Sequence, residues 1–156
     1  MDIQLFINEV GRKFNTELAL NEQFACSLLV DDVLVNFQYQ KYDQTLLIYG
    51  LVSYAEEGFN QAQLERALEA NLFGYESLTF HLGYYKAMHA LVLSAMKKED
   101  ELSDVEEFAK LVLVFAEQIK KWEQEINALA DSENKTPSTL AETEEITMNI
   151  NNFLRV

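Results

Sequence analysis

The chain has 156 residues, 49% of them hydrophobic, with one Pro, five Gly and a formal net charge of −14. That length points to one domain by default, and seventeen Phe and Tyr residues (ten plus seven) provide ample core. The acidic balance repels phosphate backbones and argues against nucleic acid as a partner, while it suits solubility and basic or weakly charged partners.

Cys26 is the only cysteine, so no intrachain disulfide can form, which fits a reducing compartment. The opening MDIQLFINEVGRKF does not read as a signal peptide, because Gln4, Asn8 and Glu9 interrupt its apolar positions. No apolar run reaches the length of a membrane span. The expectation is a soluble, cytoplasmic protein that engages no membrane.

Residues 2–14 are predicted to be a helix, with Ile3, Phe6, Ile7, Val10 and Phe14 on one face and Leu5 toward its exposed flank. It should stop near Asn15, with Leu18 and Leu20 in a loop. Residues 24–31 read as a strand in which Phe24, Cys26, Leu28 and Val30 alternate with Ala25, Ser27, Leu29 and Asp31. Asp31 and Asp32 make a tight turn. Residues 34–40 form the next strand: Val35, Phe37 and Tyr39 on a buried face, and Asn36, Gln38 and Gln40 on a wetter one. After a turn at 42–44, residues 45–54 are apolar on both faces and are expected to lie centrally in the sheet. Three strands at short separations make an antiparallel meander.

Residues 60–100 continue with a helix, a loop and a hairpin. Asn60 and Gln63 suit a capping box. Leu64, Ala67, Leu68 and Leu72 fall on one helical face, and Gly74 suits the helix end. Phe80, Leu82 and Tyr84 alternate with His81, Gly83 and Tyr85, and Leu91, Leu93 and Ala95 alternate with Val92, Ser94 and Met96. Residues 97–101 read as a charged loop. A long helix follows, capped by Ser103 with Glu106 three residues on. Its stripe runs through Val105, Phe108, Ala109, Val112, Phe115, Ala116, Ile119, Trp122, Ile126 and Leu129, widened by Leu111, Leu113 and Val114. The sequence therefore divides into an α+β domain over 1–130 and a C-terminal tail over 131–156. The tail is flexible or loosely docked, with Ile146, Ile150, Phe153 and Leu154 able to form a short helix that packs back.

Catalytic chemistry finds little support. His81 and His89 could face each other across the hairpin, but no Cys or third His joins them to build a metal site. Cys26 sits among apolar neighbours and reads as a buried thiol rather than a nucleophile. Asp31/Asp32 and Glu56/Glu57 read as turn and loop residues. There is no glycine-rich phosphate loop and no nucleophile elbow, so neither an enzyme nor a bound cofactor is expected.

The order helix, three strands, helix, two strands, helix resembles the class I type III secretion chaperones, the family of the Tir chaperone. The residues that carry the resemblance are LLVDDVLVNFQY (28–39), LLIYGLVSY (46–54), LERALEANLFGYES (64–77) and ALVLSAMKKEDELSDVEEFAKLVLVFAEQIKKW (90–122). They include a Leu-x-x-x-Leu-x-x-Asn run at Leu64, Leu68 and Asn71. Many members carry a Gly/Pro-containing turn where this chain has AEEGFN, and the 131–156 tail is a second departure from the family's pattern.

The resemblance implies an α+β fold with a twisted antiparallel sheet packed by helices, assembled as a homodimer in the bacterial cytoplasm. It implies a virulence-associated chaperone that holds the N-terminal chaperone-binding segment of a secreted effector without ATP hydrolysis, and it admits the secretion ATPase as a further partner. Client-binding candidates are Phe6, Val10, Phe14, Leu18, Phe24, Cys26, Leu28, Val35, Phe37 and Tyr39, each of which also reads as ordinary core. By analogy, Leu68, Leu72, Phe73, Leu82 and Tyr84 are candidates for the dimer interface. The same fold also serves regulators that bind a protein partner to control secretion-gene expression, so an antiactivator role is the alternative. A small α+β enzyme is a more distant third.

Overall fold

The structure is a computed structural model that describes residues 1–74, 76, 78–130 and 140–153, the side chains of Leu140, Glu142, Asn151 and Phe153 excepted. Its elements run α1 (Ile3–Lys13), β1 (Ala25–Val30), β2 (Val33–Gln40), β3 (Thr45–Tyr54), α2 (Gln61–Ala70), β4 (His81–Tyr85), β5 (Ala90–Lys98), α3 (Val105–Ala128) and α4 (Leu140–Phe153). The fold is α+β, with one antiparallel five-stranded sheet in the order β1-β2-β3-β5-β4. The expected central strand, β3, is its middle member. The chain forms two compact units, Met1–Tyr49 with Ala95–Glu117 and Gly50–Ser94 with Gln118–Val156.

In the first unit, Asp2 caps α1 by accepting from the backbone N–H groups of Gln4 and Leu5. Phe6, Ile7 and Val10 turn inward, and Leu5 is exposed as the helical spacing requires. Phe6 meets Phe108 of α3 edge-on at 5.2 Å between ring centroids, and Phe37 of β2 lies 6.1 Å from the same ring. Gly11 lets the chain fold back after the helix: a Cβ there would stand 2.6 Å from Leu18 Cβ and 2.8 Å from the Thr16 carbonyl.

The face of β2 expected to be wetter is buried at Asn36 and Gln38. The alternation of residue types is present, but both polar side chains find hydrogen-bond partners, Asn36 within the sheet and the Gln38 amide N–H in the chain just before β1. Asn36 accepts from the Ser27 hydroxyl at 2.7 Å and donates to the Tyr49 carbonyl at 3.3 Å, and Gln38 donates to the Gln23 carbonyl at 2.8 Å. The expected charged loop at 97–101 also differs: β5 runs on to Lys98, and Glu99–Glu101 form a 3-10 turn. Gln44 holds that turn by accepting from the Glu99 backbone at 2.8 Å. The cap of α3 is Asp104 rather than Ser103. Its carboxylate accepts from the N–H groups of Glu106 and Glu107 at 2.8 and 3.2 Å, so the helix starts one residue later than the Ser-x-x-Glu spacing suggests.

In the second unit, the capping box of Asn60 and Gln63 forms in both directions, each bond 2.9 Å long. Gln63 also donates to the Ile126 carbonyl at 2.9 Å, and Asn60 to the Leu129 carbonyl at 2.8 Å. These anchors set the rotation of α2. Gln63, Ala67 and Ala70 turn inward, whereas the apolar spacing had pointed to Leu64, Ala67, Leu68 and Leu72. The helix ends at Ala70, and Gly74 (φ 68°) instead closes a 3-10 turn over Leu72–Gly74. The two histidines do not face each other. His81 stands opposite Ser94, and His89, in the left-handed region (φ 48°), places Nδ1 3.3 Å from the Tyr84 hydroxyl. Within 131–156, residues 131–139 and 154–156 lie outside the described residues, and with them Leu154 and the side chain of Phe153. The part between is the helix α4, which buries Ile146, Thr147 and Ile150.

Candidate protein-binding surfaces

Strand β1 stands at one end of the sheet. Its hairpin with β2 turns on Asp31 and Asp32, both left-handed (φ 46° and 67°), as a two-residue type I′ turn requires. That turn fixes the register, Val30 opposite Val33 and Cys26 opposite Phe37. In an antiparallel ladder, residues bonded across to the neighbour alternate with residues whose backbone groups point the other way. The Phe24 carbonyl accepts from the Tyr39 N–H across the ladder at 2.8 Å. Ala25 points outward, its N–H donating to Asn21 Oδ1 at 3.1 Å and its carbonyl accepting from the Asn21 N–H at 2.9 Å. The same parity turns the backbone N–H and C=O of Ser27 and Leu29 toward the open edge. The Leu29 side chain is 53% exposed. Cys26 is half-buried, and loss of hydration pushes its thiol pKa up to about 12, so it is a weak nucleophile. Phe24 is half-buried under the Lys41 ammonium, which lies 3.7 Å from the ring centroid.

The ten client-binding candidates divide sharply. Phe6, Val10, Leu18, Leu28, Val35, Phe37 and Tyr39 are buried in the protomer. The Tyr39 hydroxyl is further tied to the Glu99 carboxylate, a bond that pushes the phenol pKa up to about 12 and holds Glu99 below its ordinary value. Phe14, Phe24 and Cys26 remain half-exposed. Leu29 escaped the sequence reading because alternation grouped it with the residues facing away from the core. The Asp-Asp turn was the available signal: a two-residue hairpin fixes which residues of the first strand point outward.

The second surface lies on α2, the turn after it and β4. Leu68 is 71% exposed, Leu72 61% and Phe73 82%, and Leu78 and Tyr84 are exposed beside them in the sequence. Four of the five dimer candidates, Leu68, Leu72, Phe73 and Tyr84, are therefore open in the protomer. Leu82 is buried, its backbone N–H donating to the Asn71 side chain and its carbonyl accepting from it, both at 2.8 Å. Among the described residues, no group of three His, Cys, Asp or Glu could hold a metal ion, and no helix is long and apolar enough to cross a membrane.

The model of the Tir chaperone protein (CesT) family matches residues 5–123 of this chain. The chain belongs to that family. The match runs from α1 into α3, and α4 lies beyond it. No curated protein sequence matches the chain. Solved structures similar to this family member include a chain of the ExsC–ExsE complex, with TM-score 0.67 and 16% identity over 82% of this chain and 96% of that one. A second is from the Yersinia pestis type III secretion chaperone SycH in complex with a fragment of YscM2, with TM-score 0.60 and 15% identity over 76% of this chain and 98% of that one. A third is from the ExoU–SpcU complex of the Pseudomonas aeruginosa type III secretion system, with TM-score 0.59 and 16% identity over 80% and 98%. At these identities the likeness is one of fold.

Proposed function

We propose that this Tir-family chain is a cytoplasmic type III secretion chaperone that acts as a homodimer. It holds the N-terminal chaperone-binding segment of a secreted effector in extended form, by binding alone and without ATP hydrolysis. The observation that carries this reading is the β1 edge. Ser27 and Leu29 offer backbone donors and acceptors in strand register, with apolar Leu29 and half-exposed Cys26, Phe24 and Phe14 available to client side chains. An extended segment gains main-chain hydrogen bonds from such an edge and specificity from alternate side chains. Two-fold symmetry would repeat the edge on a second protomer. The exposed Leu68, Leu72, Phe73 and Tyr84 are the surface proposed for that contact.

The test is affinity purification of the full chain from its native bacterium, with mass spectrometry and light scattering of the eluate. One secreted protein, held through its N-terminal region by two copies of the chain, is the expected result. Recovery of a transcription regulator in its place would favour the antiactivator reading, and a monomer that retains no protein would end the chaperone reading.

A further inference from the structure

Asn21 lies along the outer edge of β1 and stands there in place of one residue of a neighbouring strand. Its backbone N–H donates to the Ala25 carbonyl at 2.9 Å, and its side-chain Oδ1 accepts from the Ala25 N–H at 3.1 Å. The same Oδ1 accepts from the Gln23 N–H at 2.9 Å. A side-chain carbonyl is needed because the backbone carbonyl of Asn21 is already taken: it accepts from the Phe24 N–H at 2.9 Å and closes a turn. Asparagine suits the position, since its short amide reaches backbone groups two and four residues on.

Three contacts hold this loop in place. The Leu20 N–H donates to Gln4 Oε1 of α1 at 3.2 Å, and the Gln4 amide donates in turn to Asn8 Oδ1 at 2.9 Å. Gln38 of β2 donates to the Gln23 carbonyl at 2.8 Å. The Lys41 ammonium covers the Phe24 ring. Phe24 itself is left-handed (φ 58°), a conformation that a residue other than glycine keeps only where its surroundings over-determine it. That kink brings the chain back beside β1. Asn21 is exposed, so no core packing accounts for its place.

The outward positions of β1 run Ala25, Ser27, Leu29, and Asn21 occupies both backbone groups of the first. A strand added along the whole edge would have to displace it. On the effector-binding reading above, on which this rests, we infer that Asn21 is a specificity-determining residue that ends strand addition: a client segment bonds to Ser27 and Leu29, stops short of Ala25, and is thereby held in one register. Register decides specificity, because a slip of one residue turns every side chain to the other face. Ser27 and Leu29 present exposed side chains on one face, with half-buried Leu34 opposite Leu29. The segment that fits is extended and sets an apolar side chain beside Leu29.

The test compares the full chain with its Asn21→Ala and Asn21→Asp variants. The probe is the N-terminal fragment of the secreted protein that co-purifies with the chain. Amide hydrogen exchange at Ala25, Ser27 and Leu29 is read by NMR, free and bound, and affinity by calorimetry. In the parent, the fragment should slow exchange at Ser27 and Leu29 and leave Ala25, already slow, unchanged. Asn21→Ala removes the acceptor. Its free Ala25 amide should exchange about tenfold faster or more and slow again on binding, with the fragment held about threefold to tenfold tighter, as for one added hydrogen bond. Asn21→Asp keeps the acceptor and should behave as the parent. A free Asn21→Ala chain whose Ala25 amide stays slow, or a bound one whose Ala25 amide stays fast, would overturn the stop and leave strand addition standing. A bound fragment that protects neither Ser27 nor Leu29 would overturn the inference and leave the chaperone reading intact. A purification that returns no secreted protein would overturn both.

Discussion

At Gly11 the requirement is space rather than backbone freedom: Leu18 and the Thr16 carbonyl occupy the position a Cβ would take. Gly11→Ala should therefore lower stability by about 1–3 kcal/mol, as overpacking does, read as a reduced urea midpoint at unchanged slope. Cys26 illustrates a second residue-level effect, loss of hydration. Its folded pKa of about 12 lies above the ordinary 9.0. The unfolded chain therefore ionises first, and the thiol's contribution is whole below about pH 9 and is lost as pH rises toward 12. Alkylation of folded protein by iodoacetamide at pH 8.5 should run at least about 100-fold slower than that of a small free thiol, because thiolate is the reacting form. A rate like the free thiol's would show that Cys26 is solvated. The residue type and its apolar neighbours were legible in the sequence, whereas the close approach of Leu18 to Gly11 required the loop to be seen folded.

At the scale of elements, the β1 edge makes a separable prediction. Ser27 directs its N–H away from β2, so Ser27→Pro removes no ladder bond, and proline is tolerated at such edge positions. The variant also loses the hydroxyl's bond to Asn36, so Ser27→Ala is its control: the two should melt alike, and only the proline variant should lose most of its capture of an effector segment in a pull-down. Unimpaired capture would remove strand addition from the binding mode. The start of α3 gives a comparison of two neighbouring residues. Asp104→Ala should cost about 1 kcal/mol through loss of the cap, whereas Ser103→Ala should change thermal stability little. The elements themselves were largely readable: α1, the three-strand meander, the hairpin and α3 follow the spacing of apolar residues. The rotation of α2 was not. Spacing put Leu68 on one face with Ala67, but the Gln63 bond to Ile126 and the Asn60 bond to Leu129 turn Ala67 inward and leave Leu68 in water. A polar anchor to a residue more than sixty positions away leaves no local signature.

At the scale of the whole molecule, α4 (Leu140–Phe153) buries Ile146, Thr147 and Ile150. Deleting it should lower the melting temperature measurably, since each buried aliphatic side chain contributes about 1.5–3 kcal/mol as an upper estimate. An unchanged melting temperature would mean that α4 adds nothing to the fold. Effector capture through β1 should survive the deletion at temperatures where the chain remains folded.

The sequence by itself determined the acidic charge, the alternation of apolar residues, the order of helices and strands, and the resemblance that pointed to the Tir chaperone family. These are properties of composition and near-neighbour spacing, which a linear reading can count. The tertiary structure decided which apolar residues are core and which remain open to partners. Phe6, Val10 and Phe37 were enclosed, and Leu29, Leu68 and Phe73 were left in water. Burial depends on what arrives from distant parts of the chain: Phe108 against Phe6, Leu18 against Gly11, Gln63 against the end of α3. Periodicity shows that a face exists, but only the packing of the folded chain shows what covers it.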